Sequence, residues 1–201
     1  MRHLILALLS LILIFSCQSE DDFKPNLLSL EKLDEKPIYK SIYEGKQSPD
    51  SVYRLVFRDT SFSEIPKDIT NFRNLQYLNC SNKNLERLNP KTLINLVHLK
   101  YLAISRNPIK SLPEEIENLK YLKILFINET EIEALPQAIF SLDSLQYIHV
   151  GESPIPLYEL KKLKTEKPDL EIILGYAIEY DTTMTQEKLD KLYDQAIEDM
   201  M

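Results

Sequence analysis

Few residues in this chain are able to move a proton or attack an electrophile, and their spacing limits what they can do. Histidines stand at His3, His98 and His149, and the cysteines are Cys17 and Cys80. His149 has Glu152 three residues on, so an imidazole and a carboxylate on one side of the chain are conceivable as a general acid and base. No serine or cysteine falls at a defined spacing from that pair, no glycine-rich phosphate loop occurs, and no Cys/His cluster has zinc spacing. The expectation is no enzyme, no cofactor and no metal. Two cysteines permit one disulfide, so the position of each thiol has to be settled first.

The elements that must position these groups are read from the apolar residues. In Leu99 to Pro113, LKYLAISRNPIKSLP, apolar residues fall at positions 1, 4, 6, 11 and 14. The same template recurs in steps of 23 or 24 residues, starting at Val52, Leu75, Leu122 and Leu145. Position 4 is Leu55, Leu78, Leu102, Leu125 and Ile148; position 6 is Phe57, Cys80, Ile104, Ile127 and Val150; position 11 is Phe62, Leu85, Ile109, Ile132 and Ile155. Each unit reads as a short strand near positions 3 to 7, a turn and a return segment, and no such unit buries its apolar face alone. The return segments carry triads such as Ile116-Leu119-Leu122, spaced i, i+3, i+6 as one side of a helical turn. They open on Pro66, Pro90, Pro113 and Pro136, and proline suits the first helical turn, where its missing N–H goes unused.

The pattern resembles the leucine-rich repeat family, in its L-P-x-x-I-x-x-L subclass of about 23 residues per repeat. The resemblance covers roughly residues 52–175 and implies an α/β fold: a right-handed solenoid of five repeats, with a parallel sheet on the concave side and short helical or irregular segments on the convex side. The family prefers Asn at position 9, where this chain has Thr60, Lys83, Asn107, Thr130 and Ser153. Thr and Ser can still accept a hydrogen bond there. An ammonium cannot, so the turn geometry is expected to depart most in the rung that begins at Leu75.

The two ends read differently from the repeats. Residues 1–16 have a basic start and an apolar run from Leu4 to Phe15, too short to span a bilayer comfortably and of the length of a secretory core. The junction Leu13-Ile14-Phe15-Ser16-Cys17 resembles a bacterial lipobox, which implies a signal peptide ending at Ser16 and a lipoprotein acylated (as with palmitate) at Cys17; plain secretion and a retained anchor are the alternatives. Two acyl chains would hold the protein at a membrane where one would not. Glu20-Asp21-Asp22 resembles an export signal of surface lipoproteins, or is a solvated acidic linker. With Cys17 acylated, Cys80 at inward position 6 has no disulfide partner and is expected to be a small buried hydrophobe. Residues 17–36 read as a flexible acidic tether, and 37–51 as an N-terminal cap with a short helix through Ile38-Tyr39 and Ile42-Tyr43. Within 52–175, Leu157-Leu160-Leu163 continues the helical period, and Leu170 to Gly175 reads as the closing strand. Residues 176–201 hold an amphipathic helix marked by Leu189, Leu192, Tyr193 and Ala196, packed on the last rung or docking a partner.

What remains for function is surface. The net charge of −7 and the lack of a basic patch argue against nucleic acid. Side chains alternate along a strand, so positions 3 and 5 face away from the core. These place Arg54, Tyr77, Tyr101, Ile124 and Tyr147, with Asn79, Phe126 and His149, on the concave face as an exposed aromatic row. Such a row is the expected contact for a protein, peptide or glycan partner. The expected function is non-catalytic binding by a lipid-anchored protein of the bacterial outer membrane, the leaflet and oligomeric state left open. The alternative is a structural or assembly subunit acting through the convex face or the C-terminal helix.

Overall fold

The structure is a computed structural model, and it describes residues 26–58 and 60–174. The signal region, Cys17, Glu20-Asp21-Asp22 and the C-terminal amphipathic helix lie outside the described residues.

Seven short strands form one parallel sheet in chain order: β1 (Ile38–Tyr39), β2 (Arg54–Val56), β3 (Tyr77–Asn79), β4 (Tyr101–Ala103), β5 (Ile124–Phe126), β6 (Tyr147–His149) and β7 (Glu171–Ile173). The register puts Arg54, Tyr77, Tyr101, Ile124, Tyr147 and Glu171 in one row across the strands, and Leu55, Leu78, Leu102, Leu125, Ile148 and Ile172 in the next. This is an α/β solenoid, because each rung pairs only with its sequence neighbours. Positions 4 and 6 point inward as expected. Position 4 is fully buried in all five repeats, and Phe57, Cys80, Ile104, Ile127 and Val150 line up behind it. One continuous apolar core runs from Val52 to Leu170.

The return segments are tighter than an α-helical period predicts. Lys67–Asn71, Glu114–Asn118 and Gln137–Ser141 are 3-10 turns, and of the first four return segments Pro90–Leu93 (α3) alone closes an α-helical turn. Each of these 3-10 turns still buries its central Ile, because a triad at i, i+3, i+6 also fits three residues per turn. Pro66, Pro113 and Pro136 stand one residue before their turns, at the N-cap, and only Pro90 enters its helix. The last return segment is a ten-residue α-helix, α4 (Leu157–Glu166), with Leu160 and Leu163 buried, and β7 follows it to close the described stack.

After β3, β4, β5 and β6 the turn is built at position 8, where Asn82, Arg106, Glu129 and Glu152 take left-handed backbone conformations with φ between 54° and 59°. Position 9 then ties adjacent rungs together. Asn107 donates to the carbonyls of Cys80 and Ile104, at 2.9 and 2.8 Å, and accepts from the backbone N–H of Lys83 and Leu85. Thr130 and Ser153 substitute for the amide: both hydroxyls donate to the Ile127 carbonyl, and Ser153 Oγ accepts from the Thr130 backbone N–H at 3.1 Å. The rung with Lys83 at position 9 departs as the chemistry requires. It carries a second left-handed residue, Asn84, with φ 59°.

The N-terminal part corrects the sequence reading twice. Ile38-Tyr39 is not in a helix: it is the edge strand β1, paired with Arg54 and Leu55, and the cap helix α2 (Ile42–Lys46) begins after it behind Ser41, whose side chain accepts from the Glu44 N–H. The expected tether is a docked strap over its described part. A short helix, α1 (Leu30–Asp34), lies within it, and Leu28 and Leu33 are buried. Leu30 packs on the outer face of the sheet while Leu28 and Leu33 are buried, as the side chains of a solvated tether would not be.

Candidate functional site

The face of the sheet opposite the core carries its own apolar cluster. Tyr101, Ala103, Ile124, Phe126 and Tyr147 form it, with Tyr77 and Leu30 packed against them. The side chains make a ladder that crosses five strands. The Arg54 guanidinium lies 5.1 Å from the centroid of the Tyr77 ring. Tyr77 stacks on Tyr101 with ring centroids 4.0 Å apart and planes 6° from parallel. Tyr101 meets Phe126 at 5.4 Å, and Phe126 meets His149 edge to face at 5.8 Å and 84°. The ladder therefore changes from position 3 to position 5 at β5, where Ile124 interrupts the aromatic row. Offset and edge-on ring pairs of this kind are favourable beyond their buried area.

All eight residues expected to contact a partner lie on this face of the sheet, but not as an exposed row. Arg54, Tyr101, Ile124, Phe126, Tyr147 and His149 are buried, Tyr77 and Asn79 half-buried. The strap is one reason, since Leu30 packs into the cluster. Burial also pushes the Tyr77 phenol above its ordinary pKa. The conceivable acid and base part company: His149 is buried against Phe126, while Glu152 stands exposed in the left-handed turn beyond the strand.

Along the N-terminal ends of the strands runs a polar rim that sequence reasoning missed. Gln76, fully buried, donates its amide to the Asn26 carbonyl at 2.8 Å and accepts from the Leu28 backbone N–H at 3.0 Å. The Lys100 ammonium, one rung on, donates to the Leu28 carbonyl. Two rungs back from Lys100, Arg54 pairs with the Asp34 carboxylate at 2.8 Å and donates to the carbonyls of Asp34 and Lys36. Lys36 in turn lies 5.0 Å from the centroid of the Tyr53 ring. Burial lowers the Lys100 pKa, and the neighbouring Lys123 charge adds to the effect. Gln76 and Lys100 both occupy position 2, which is Tyr53, Lys123 or Gln146 in the other rungs. Nothing in the repeat pattern singles them out. The one available signal is the spacing of Leu27, Leu30 and Leu33, three residues apart ahead of the first strand, whose partner the sequence does not name.

Cys80 is buried and is a free thiol, and burial drives its pKa far upward. Among the described residues no group of His, Cys, Asp and Glu is placed to hold a metal ion, and no helix is long and apolar enough to cross a membrane.

With this geometry in place, comparison with known proteins is informative. A family model described as a leucine-rich repeat region matches residues 79–193. Among solved structures, the chain is similar to a leucine-rich repeat protein of Leptospira interrogans, at 26% identity and a TM-score of 0.59 over 68% of this chain and 34% of that one. It is also similar to TLR13 in the TLR13–ssRNA13 complex, at 20% identity and a TM-score of 0.56 over 68% of this chain and 20% of that one, a likeness of fold alone. The chain thus matches about a third and a fifth of the lengths of these two proteins. No curated protein matches it.

Proposed function

Since this chain belongs to the leucine-rich repeat family, a scaffold of non-catalytic binding proteins, we propose that it is a lipid-anchored binding protein of the bacterial cell envelope that engages a protein or peptide partner on the outer face of its sheet. The observation that carries the binding face is the aromatic ladder from Tyr77 to His149: four rungs devote to it an apolar surface separate from the core. The contact residues are Arg54, Tyr77, Asn79, Tyr101, Ile124, Phe126, Tyr147 and His149. Aromatic and Arg side chains of this kind supply most of the energy of protein interfaces. Anchoring rests on the apolar run before Ser16-Cys17, with the acyl chains on Cys17 and the outer membrane as the place of attachment.

A second surface has its own support. Leu157 and Tyr158, at the start of α4, are 56% and 69% exposed on the side away from the ladder, and favour an assembly role through that side. A photo-cross-linker installed in cells in place of Asn79 should trap one envelope partner, and one in place of Tyr158 should not. The reverse result would move the function to α4. For the anchor, Cys17→Ala should abolish metabolic labelling with fatty acid, and unchanged labelling would remove it.

A further inference from the structure

The strap makes contacts that a spacer does not need, and they describe a ligand. Gln76 uses both ends of its amide on the main chain of Asn26 and Leu28, so it recognises backbone and not side-chain identity. A carboxamide buried in this way and satisfied by main chain at both ends is costly to leave uncovered. Beyond it Leu28 and Leu33 are buried, Leu30 packs against the aromatic cluster, and Arg54 takes the carboxylate of Asp34. The sequence captured is apolar at 28, 30 and 33 and acidic at 34. One site is filled poorly. Lys100, beside Lys123, meets the Leu28 carbonyl, whereas a carboxylate would make the stronger, charge-assisted bond.

We propose that the rim of Arg54, Gln76 and Lys100, with the aromatic cluster beside it, is the receptor for an acidic, leucine-bearing peptide segment of the partner protein, and that residues 26–36 occupy it as a built-in competitor. The inference rests on the outer face being the binding face. The partner segment has the strap's own order, an extended stretch leading into one helical turn, with an additional acid next to the first leucine to meet Lys100. Binding lifts the strap, exposing the cluster on which the partner completes its contact.

The probe is a fluorescent peptide of residues 26–36, used with the full chain. The unaltered chain should bind it at least tenfold more weakly than a chain carrying Leu33→Ala and Asp34→Ala, whose strap is loosened. Ser29→Asp in the peptide keeps an N-capping residue, puts an acid one residue on from the Leu28 carbonyl that Lys100 holds, and should tighten binding in a salt-dependent way. Adding Gln76→Ala to the loosened chain should abolish binding. Equal affinity of the two chains, or no binding by a loosened chain that melts cooperatively, overturns the proposal. Should the loosened chain fail to fold, hydrogen exchange on the unaltered chain decides: amides of residues 28–36 must open well before those of β3 to β5, and exchange only together with those strands makes the strap a permanent part of the fold. The two readings fail separately. A cross-link from Asn79 without peptide capture overturns the competitor and leaves the binding face standing, whereas a cross-link confined to Tyr158 overturns the binding face.

Discussion

Cys80 shows how much one position in a repeat determines. It sits where its neighbours along the stack are Phe57, Ile104, Ile127 and Val150, so its thiol is fully buried and held protonated. A thiol whose pKa is raised by folding keeps its proton while the unfolded thiol loses one above about pH 8.5. The folded state then binds more protons, and stability falls as pH rises. The stabilising contribution of Cys80 is complete below that value and declines above it at about 1.4 kcal/mol per pH unit. Urea denaturation across this range should show that decline in the unaltered chain and a shallower one in Cys80→Ala, and native Cys80 should resist thiol reagents. Equal slopes, or rapid native labelling, would place the thiol outside the core. Asn107 makes a different point. Its amide was legible from the repeat template alone because its five partners are backbone groups, present whatever the neighbouring side chains are.

Among the elements, the strands were legible and the N-terminal segments were not, for a physical reason. A strand in this stack packs against copies of itself, so positions 4 and 6 must be apolar in every rung and the period writes itself into the sequence. The strap and α2 meet their partners only once, and a single contact leaves no period. The N-terminal cap shows this at Gly45. A Cβ added there would lie 2.5 Å from Cζ of Phe72 and 3.0 Å from Cγ2 of Val52, both buried, so glycine is required by the closeness of α2 to the first rung. Gly45→Ala should cost about 1 to 3 kcal/mol through overpacking, despite the better helix propensity of Ala. A thermal melt unchanged by the substitution would show that α2 does not press on the first rung. The candidate site on the outer face was half legible in the same sense: the register row through Tyr77 and Tyr101 follows from the repeat, while its cover and the rim of Gln76 and Lys100 do not.

At the scale of the whole molecule, every strand pairing among the described residues is between sequence neighbours, from β1 to β7 in order. Stability in such a stack is a sum over adjacent rungs, and a central residue is counted in two of the terms. Leu102, fully buried in β4 with rungs on both sides, should cost about 2 to 5 kcal/mol when changed to Ala. The melting midpoint is the readout, and a shift under a degree or two would contradict its inward placement. Neighbour-only pairing also explains why the fold class could be read from one chain without any alignment: each repeat is itself a comparison with the next.

The order of the strap's attachments has a mechanical consequence. Gln76 holds residues 26 and 28, Lys100 holds 28, and Arg54 holds 34 and 36. A pull on the chain at residue 26, directed away from the sheet, loads these attachments one after another, as a zip opens. The core behind the sheet feels no tension until Arg54 lets go and β1 begins to part from β2.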